Sequence, residues 1–391
     1  MKILLYFESE SLIQTSGIGR AFEHQKAALT SAGIEYTTDP WDEDYDILHI
    51  NTYGLNSESI IRNARKNGKK VVYHAHSTEE DFRNSFIMSN MLAPVVKQIL
   101  VNLYSKADVI ITPTPYSKQL LQNYGITLPI YPISNGIELE QYAYDEEKIK
   151  AYRKYFSLQE TDKVVIGVGL PFERKGILDF IKVAESLPEY KFIWFGEINP
   201  MLVPSEINKA VENHPLNCIF PGYVKGPIIQ GAYLEADCFF FPSYEETEGI
   251  VVLEALASHQ NVVVRDIGVF NPWLKDKVQC YKGHDNEEFI KLVQGCVEKI
   301  LPSTKEAGFE VAKERSIDKI GQELKAVYES VLNNLYFYQW TNCYLLIIPR
   351  HNQKNKVCIL TGAPMIHMSN RDSINIHITS TNIHLILFCK M

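Results

Sequence analysis

With 391 residues, 46% of them apolar and 22% charged, the chain has room for two or three domains and an ordinary globular composition, which excludes disorder or coiled coil over most of it. A formal net charge of −8 makes nucleic acid a poor partner, and no run approaches the roughly 18 uninterrupted apolar residues of a membrane-spanning helix. Seven cysteines without CxxC or finger spacing argue against zinc ribbons and disulfide scaffolds.

The opening MKILLYFESE is too short and too acidic at its flank for a secretory signal and reads as a first strand over 2–7. A helix is expected over 21–32. Strands follow at 46–50, 70–74, 109–112 and 130–133, with a helix over 57–67. A polar, charged connector at 141–162 leads to a second series, with strands at 163–168, 191–195, 238–241 and 261–265 and helices at 177–187 and 250–258. Strand–helix alternation implies parallel sheets covered on both faces. The expected fold is therefore α/β, with two Rossmann-like doubly wound domains facing a cleft and ligands at the carboxyl ends of the strands. The domains are expected at 1–150 and 151–316, with a helix over 317–335 packing back across them.

Of the 47 acidic residues only Asp372 lies in 336–391, which also holds His351, His367, His377, His384, Cys343, Cys358 and Cys389. No amphipathic period runs through this tail. It is expected to be poorly structured or non-native, with an accessory domain or a metal-binding tail as alternatives.

Four constellations can carry chemistry. Ser16-Gly17-Ile18-Gly19-Arg20 is a glycine loop before a helix N-terminus, suited to an anion, although a nicotinamide fingerprint would need a third glycine. His74-Ala75-His76 ends a buried strand where an α/β protein places working side chains; an isolated pair of this kind is more often core or capping, and zinc would need further ligands. Gly169, ending the first strand of the second half, precedes Arg174-Lys175-Gly176, a fork of donors and a point charge able to meet a diphosphate. Finally, Glu246 lies eight residues before Glu254, with Gly249 between them opening a helix whose first amides, at Ile250 and Val251, can face phosphate.

The Glu246–x7–Glu254 pair resembles the signature of retaining glycosyltransferases of family 4, which have the GT-B architecture. The SGIGR loop, His76, Asn135-Gly136-Ile137-Glu138, Arg174-Lys175-Gly176 and Arg265-Asp266-Ile267 support the likeness in the family's order, over about 1–333. FERKGILDF, FIWFG, RDIGVFNPWL and HAHSTEEDFRNSF are similar to the Gram-positive enzymes that add a second sugar to monoglucosyldiacylglycerol, building the glycolipid anchor of lipoteichoic acid. Two positions depart from the family pattern: Leu170 where an arginine is common, and Glu248 where an aromatic residue often precedes the glycine.

The resemblance implies transfer of galactose or glucose from a UDP-sugar to a glycolipid, without a cofactor and without a strict need for metal. It implies that Glu246 lies near the sugar, Glu254 takes the ribose hydroxyls and His76 a sugar hydroxyl. Arg174, Lys175 and the Gly249–Val251 amides would hold the diphosphate, approached by Gly17 and Gly169. A lipid acceptor implies peripheral association with an anionic membrane, at the cytoplasmic face. The candidates for that contact are Arg62, Arg65, Lys66, Lys69 and Lys70, with the apolar Phe86, Ile87, Met88, Met91 and Leu92. The competing readings are a family 4 transferase acting on another cell-envelope glycan or lipid acceptor, and, ranked below it, a nucleotide-sugar epimerase or a non-catalytic nucleotide-sugar-binding protein.

Overall fold

A computed structural model describes residues 1–8 and 17–333, and in the tail the backbone of 336–340, 343–350, 353–361, 378–379 and 382–383. Ser16 of the first glycine loop lies outside the described residues. The chain divides into two compact units, Met1–Asn333 and Asn334–Met391.

In the first unit, β1 (Lys2–Tyr6), β2 (Glu35–Thr37), β3 (Ile47–Ile50), β4 (Lys70–His74), β5 (Val109–Thr112) and β6 (Ile130–Pro132) form a parallel sheet in the order β2-β1-β3-β4-β5-β6. A second parallel sheet holds β7 (Val164–Val168), β8 (Lys191–Phe195), β9 (Cys218–Gly222), β10 (Cys238–Phe241), β11 (Val262–Arg265) and β12 (Tyr281–Gly283), in the order β12-β11-β10-β7-β8-β9. Every residue of β3, β5, β7, β10 and β11 is buried, which is why these segments read as continuous Val, Ile and Phe runs rather than alternating ones. Strand order reverses between β1 and β3 and again between β7 and β10. Each reversal leaves a crevice at the carboxyl ends where the following loops diverge.

The helices that position the site are α1 (Gly17–Ser31), α2 (Ser57–Lys66), α3 (Glu79–Phe82), α4 (Ser89–Tyr104), α5 (Pro115–Asn123), α6 (Glu146–Phe156), α7 (Ile177–Ser186), α8 (Ser205–Glu212), α9 (Pro227–Glu235), α10 (Ile250–Ala257), α11 (Asn286–Val297), α12 (Lys305–Lys313) and α13 (Ile317–Leu332). The stretch read as a connector contains α6, whose Asp145 cap accepts from the Glu147 and Lys148 amides at 2.9 and 3.2 Å. Its sequence is mostly charged, and it buries only Tyr152, which hides its helical period.

The last helix, α13, crosses back to the first sheet. It packs on α1, where a side chain at Gly321 would place its Cβ 2.4 Å from the Ala28 carbonyl oxygen. Ile137 and Ser316 form a parallel bridge, closed by Ile137 N–H to Arg315 O at 2.9 Å and Ile317 N–H to Ile137 O at 3.1 Å.

Within the tail, Tyr336–Trp340, Cys343–Arg350 and Gln353–Thr361 run antiparallel in one sheet, and Ile378–Thr379 pairs with Asn382–Ile383. The expectation for the tail otherwise falls outside the described residues. Among the described residues, no helix is long and apolar enough to cross a membrane.

Candidate active site

A cavity of about 800 Å³ lies between the carboxyl ends of the two sheets. Gly17, Arg20 and His76 reach it from the first sheet, and Gly169, Lys175, Glu246 and the Gly249–Val251 turn from the second.

Lys175 and Glu246 form its centre. Lys175 follows β7, Glu246 follows β10, and these strands are neighbours, so 71 residues of separation close to a Nζ–Oε1 distance of 2.5 Å. The Ser243 hydroxyl donates to the same oxygen at 2.7 Å. Burial works to raise the Glu246 carboxyl, but Lys175 and Arg174 more than offset it and hold it below its ordinary value. Burial also lowers the Lys175 ammonium, despite Glu246 beside it. Gly176 is required here: its φ is +74°, and a Cβ would lie 2.3 Å from the Pro242 carbonyl oxygen. Backbone contact at that point keeps Lys175 over Glu246.

At the far side Gly249 caps α10 with φ +87°, leaving the first amides of that helix turned to the cavity. Free amides and the aligned helix dipole favour an anion there.

Arg174 has a different setting from Lys175. Its guanidinium meets Asp81 at 2.9 Å, the Ser85 hydroxyl at 2.9 Å and the Glu245 carbonyl at 2.7 Å, and its own amide donates to Asn84 O at 3.0 Å. With its side chain only 8% exposed, Arg174 staples the second half to α3 and the loop after it. Beside it, burial above all pushes the Glu245 carboxyl up to about 7, with Tyr116 hydrogen-bonded to it at 3.0 Å.

Glu254 does not line the cavity. It is 1% exposed and lies behind Arg20, which it meets at 2.5 Å, while Tyr233 donates to its other oxygen at 2.6 Å. Glu248, the departure from the family pattern, does not line the cavity. It accepts from the Asn135 amide and side chain, and burial raises its carboxyl.

His76 is held from beneath. Its Nε2 lies 2.9 Å from Asn51 Oδ1, which also accepts from Gln25 Nε2 at 2.8 Å. Gln25 Nε2 reaches His74 Nδ1 at 2.8 Å, and the His74 and His76 rings stack at 4.0 Å. Burial pushes His76 down to about 3, so it is neutral at physiological pH. Asn51 and Gln25 escaped sequence reading, although Asn51 directly follows buried β3 just as His76 follows β4. Arg20 was read only as part of a glycine motif.

The segments suggested for membrane contact divide. Met88, Met91, Leu92, Val95 and Ile99 of α4 and its approach are each 43–62% exposed at helical spacing, and Ile87 beside them donates to Leu202 O at 2.9 Å. Phe86 instead enters the cavity wall, its ring 4.9 Å from Phe172. Of the basic residues, Arg62 pairs with Glu58 at 3.4 Å, Arg65 with Asp108 at 2.8 Å and Lys70 with Asp108 at 4.0 Å; Lys69 lies over the Tyr45 ring and Lys66 is exposed. Among the described residues, no group of three or more His, Cys, Asp or Glu side chains is placed to hold a metal ion.

Residues 31–141 match Glycosyltransferase Family 4 and residues 148–307 match Glycosyl transferases group 1. The chain is 49% identical over 333 residues to the processive diacylglycerol alpha-glucosyltransferase of Acholeplasma laidlawii, an alignment covering 85% of this chain and 99% of that one. It is 26% identical over 289 residues to the alpha-galactosylglucosyldiacylglycerol synthase of Streptococcus pneumoniae, covering 73% and 77%. Among solved structures, Anabaena Alr3699/HepE in complex with UDP and glucose shares the fold at TM-score 0.70 and 16% identity, over 84% of this chain and 100% of that one. Sucrose-phosphate synthase from Thermosynechococcus elongatus does so at TM-score 0.69 and 16% identity, over 84% and 98%. With a relative of nearly half identity aligned along almost its whole length, the chain belongs to the family 4 glycosyltransferases, and its paired sheets are the GT-B fold.

Proposed function

We propose that the protein transfers glucose from UDP-glucose, with retention at the anomeric carbon, to diacylglycerol or monoglucosyldiacylglycerol at a membrane surface. The observation that carries this reading is the Lys175–Glu246 pair set against the open amides of α10 in one interdomain cavity. Breaking the glycosidic bond of a nucleotide sugar builds positive charge on the sugar and negative charge on the departing diphosphate. Lys175 and the Ile250 and Val251 amides meet the negative end, and the ionised Glu246 steadies the positive one. The acceptor hydroxyl attacks from the side the diphosphate leaves, and the diphosphate takes its proton. Neutral His76 orients a sugar hydroxyl from the first domain, and Glu254 receives the ribose.

Glucose is favoured over galactose by the 49% identity to a glucosyltransferase, against 26% to a galactosyl-transferring relative. The exposed face of α4 supports docking on a lipid surface, where burying apolar side chains is favourable. Of the basic candidates Lys66 is exposed, whereas Arg62, Arg65 and Lys70 are already paired with carboxylates. We place the domains at 1–150 and 151–316, followed by a closing helical segment assigned to 317–335.

The test supplies UDP-glucose and UDP-galactose separately, with each lipid in mixed micelles, and identifies the products. An α-glucosyl lipid made only from UDP-glucose is expected. A galactosyl product would move the donor assignment, and no lipid product from either donor would overturn the reading.

A further inference from the structure

We propose that Arg20 is a movable ligand of the donor, held by Glu254 until the ribose arrives and then passing to the diphosphate. This inference rests on the donor reading above. Among the described residues, three cationic side chains line the cavity: Arg20, Arg174 and Lys175. Arg174 is bound by Asp81, Ser85 and the Glu245 carbonyl and is 8% exposed, so it has no fork left for a ligand. Lys175 is 16% exposed and shared with Glu246. Arg20 is the most open of the three at 32%, and among the described residues its one ion pair is with Glu254.

That pairing creates a conflict which only movement resolves. Glu254 is 1% exposed, and Arg20 stands between it and the cavity. A ribose cannot reach the carboxylate while the guanidinium occupies Oε1. Expelling an arginine from a buried carboxylate is costly unless both charges find new partners. A nucleoside diphosphate supplies both at once: ribose hydroxyls donate to Glu254 in place of Arg20, and phosphate oxygens accept the guanidinium that leaves. Gly17, Ile18 and Arg20, in the same turn of α1, line the same cavity as Gly249, Ile250 and Val251 of α10, so the displaced side chain and the α10 amides face one shared space. A nucleoside without phosphates would pay the expulsion and gain nothing in return.

The experiment is calorimetric titration of the wild type and Arg20→Met with UDP and with uridine. Removing the resting guanidinium uncovers Glu254, so uridine is expected to bind several-fold tighter. Loss of the phosphate partner is expected to shrink the preference for UDP over uridine by about tenfold or more, as for one charge-assisted contact. A structural arginine would weaken both ligands together and leave the ratio unchanged, and that result would overturn the proposal. If Arg20→Met fails to fold because Glu254 is left charged and buried, the double variant Arg20→Met/Glu254→Gln carries the test, and the same collapse of the ratio is expected. If the wild type binds neither ligand, the donor reading itself falls, an outcome separate from an unchanged ratio.

Discussion

Glu248, in the acidic loop after β10, reaches into the other half of the protein and accepts two hydrogen bonds from Asn135, from the backbone amide at 2.9 Å and from Nδ2 at 2.7 Å. Glu248→Ala strands both buried donors and should lower unfolding free energy by about 2 kcal/mol or more in urea titration. Glu248→Gln keeps one acceptor oxygen. Since burial already raises this carboxyl, the amide should cost clearly less. Equal losses in the two variants would mean that the contact is not what the side chain contributes.

Lys175→Ala should remove most turnover, by about a hundredfold or more at saturating donor, because the leaving diphosphate loses a fixed charge. The same change lets burial raise Glu246, since Lys175 is the first influence opposing it. Near-normal turnover would contradict the assignment.

The buried imidazoles set an acid limit. Burial pushes His49 and His76 down to about 3 and lowers His74 well below 6.5. Below 6.5 the unfolded chain binds protons that the folded chain refuses, so their stabilisation is complete above 6.5 and lost as pH falls toward 3. Glu245 acts in the opposite sense: raised from 4.5 to about 7, it holds a proton that the unfolded carboxylate lacks, and its contribution fades as pH rises through that window. His24 is lowered by burial as well, while Asp81, Asp237, Glu248 and Glu323 are raised with Glu245, so the sign is read by comparing variants. Between pH 6 and 4 the melting temperature of Glu245→Gln should drop further relative to wild type, because the variant lacks one carboxyl that gains stability as pH falls. An unchanged slope in that variant would refute the sign given to Glu245.

Met91→Ser combined with Val95→Ser should reduce sedimentation with anionic vesicles several-fold, while UDP titration and thermal melting stay close to wild type. The two side chains are 62% and 57% exposed and contribute little to the core. Undiminished vesicle binding would remove α4 as the docking face.

The deep strands were legible because burial on both faces writes them as unbroken apolar runs; those at 70–74, 109–112, 191–195 and 238–241 coincide with the structure. The missed strands β2 and β12 are three-residue sheet edges, and β9 contains Pro221, which argues against a strand. His76, Lys175 and Glu246 could be singled out because each closely follows such a run. The partnership of Arg20 with Glu254 spans 234 positions and depends on how two sheets face each other, so no local pattern encodes it. Arg174 looked interchangeable with its neighbour. Only the placement of Asp81 and Ser85 reveals that one of two adjacent cations is fastened and the other serves the cavity.

The bridge between Ile137 and Ser316 laces together the chain's outward and returning passages between its halves. Two crossings bound side by side resist sliding, so a relative movement of the halves would be confined to rotation about this seam. Contacts beside the seam, such as Glu248 with Asn135, would be the least disturbed by it.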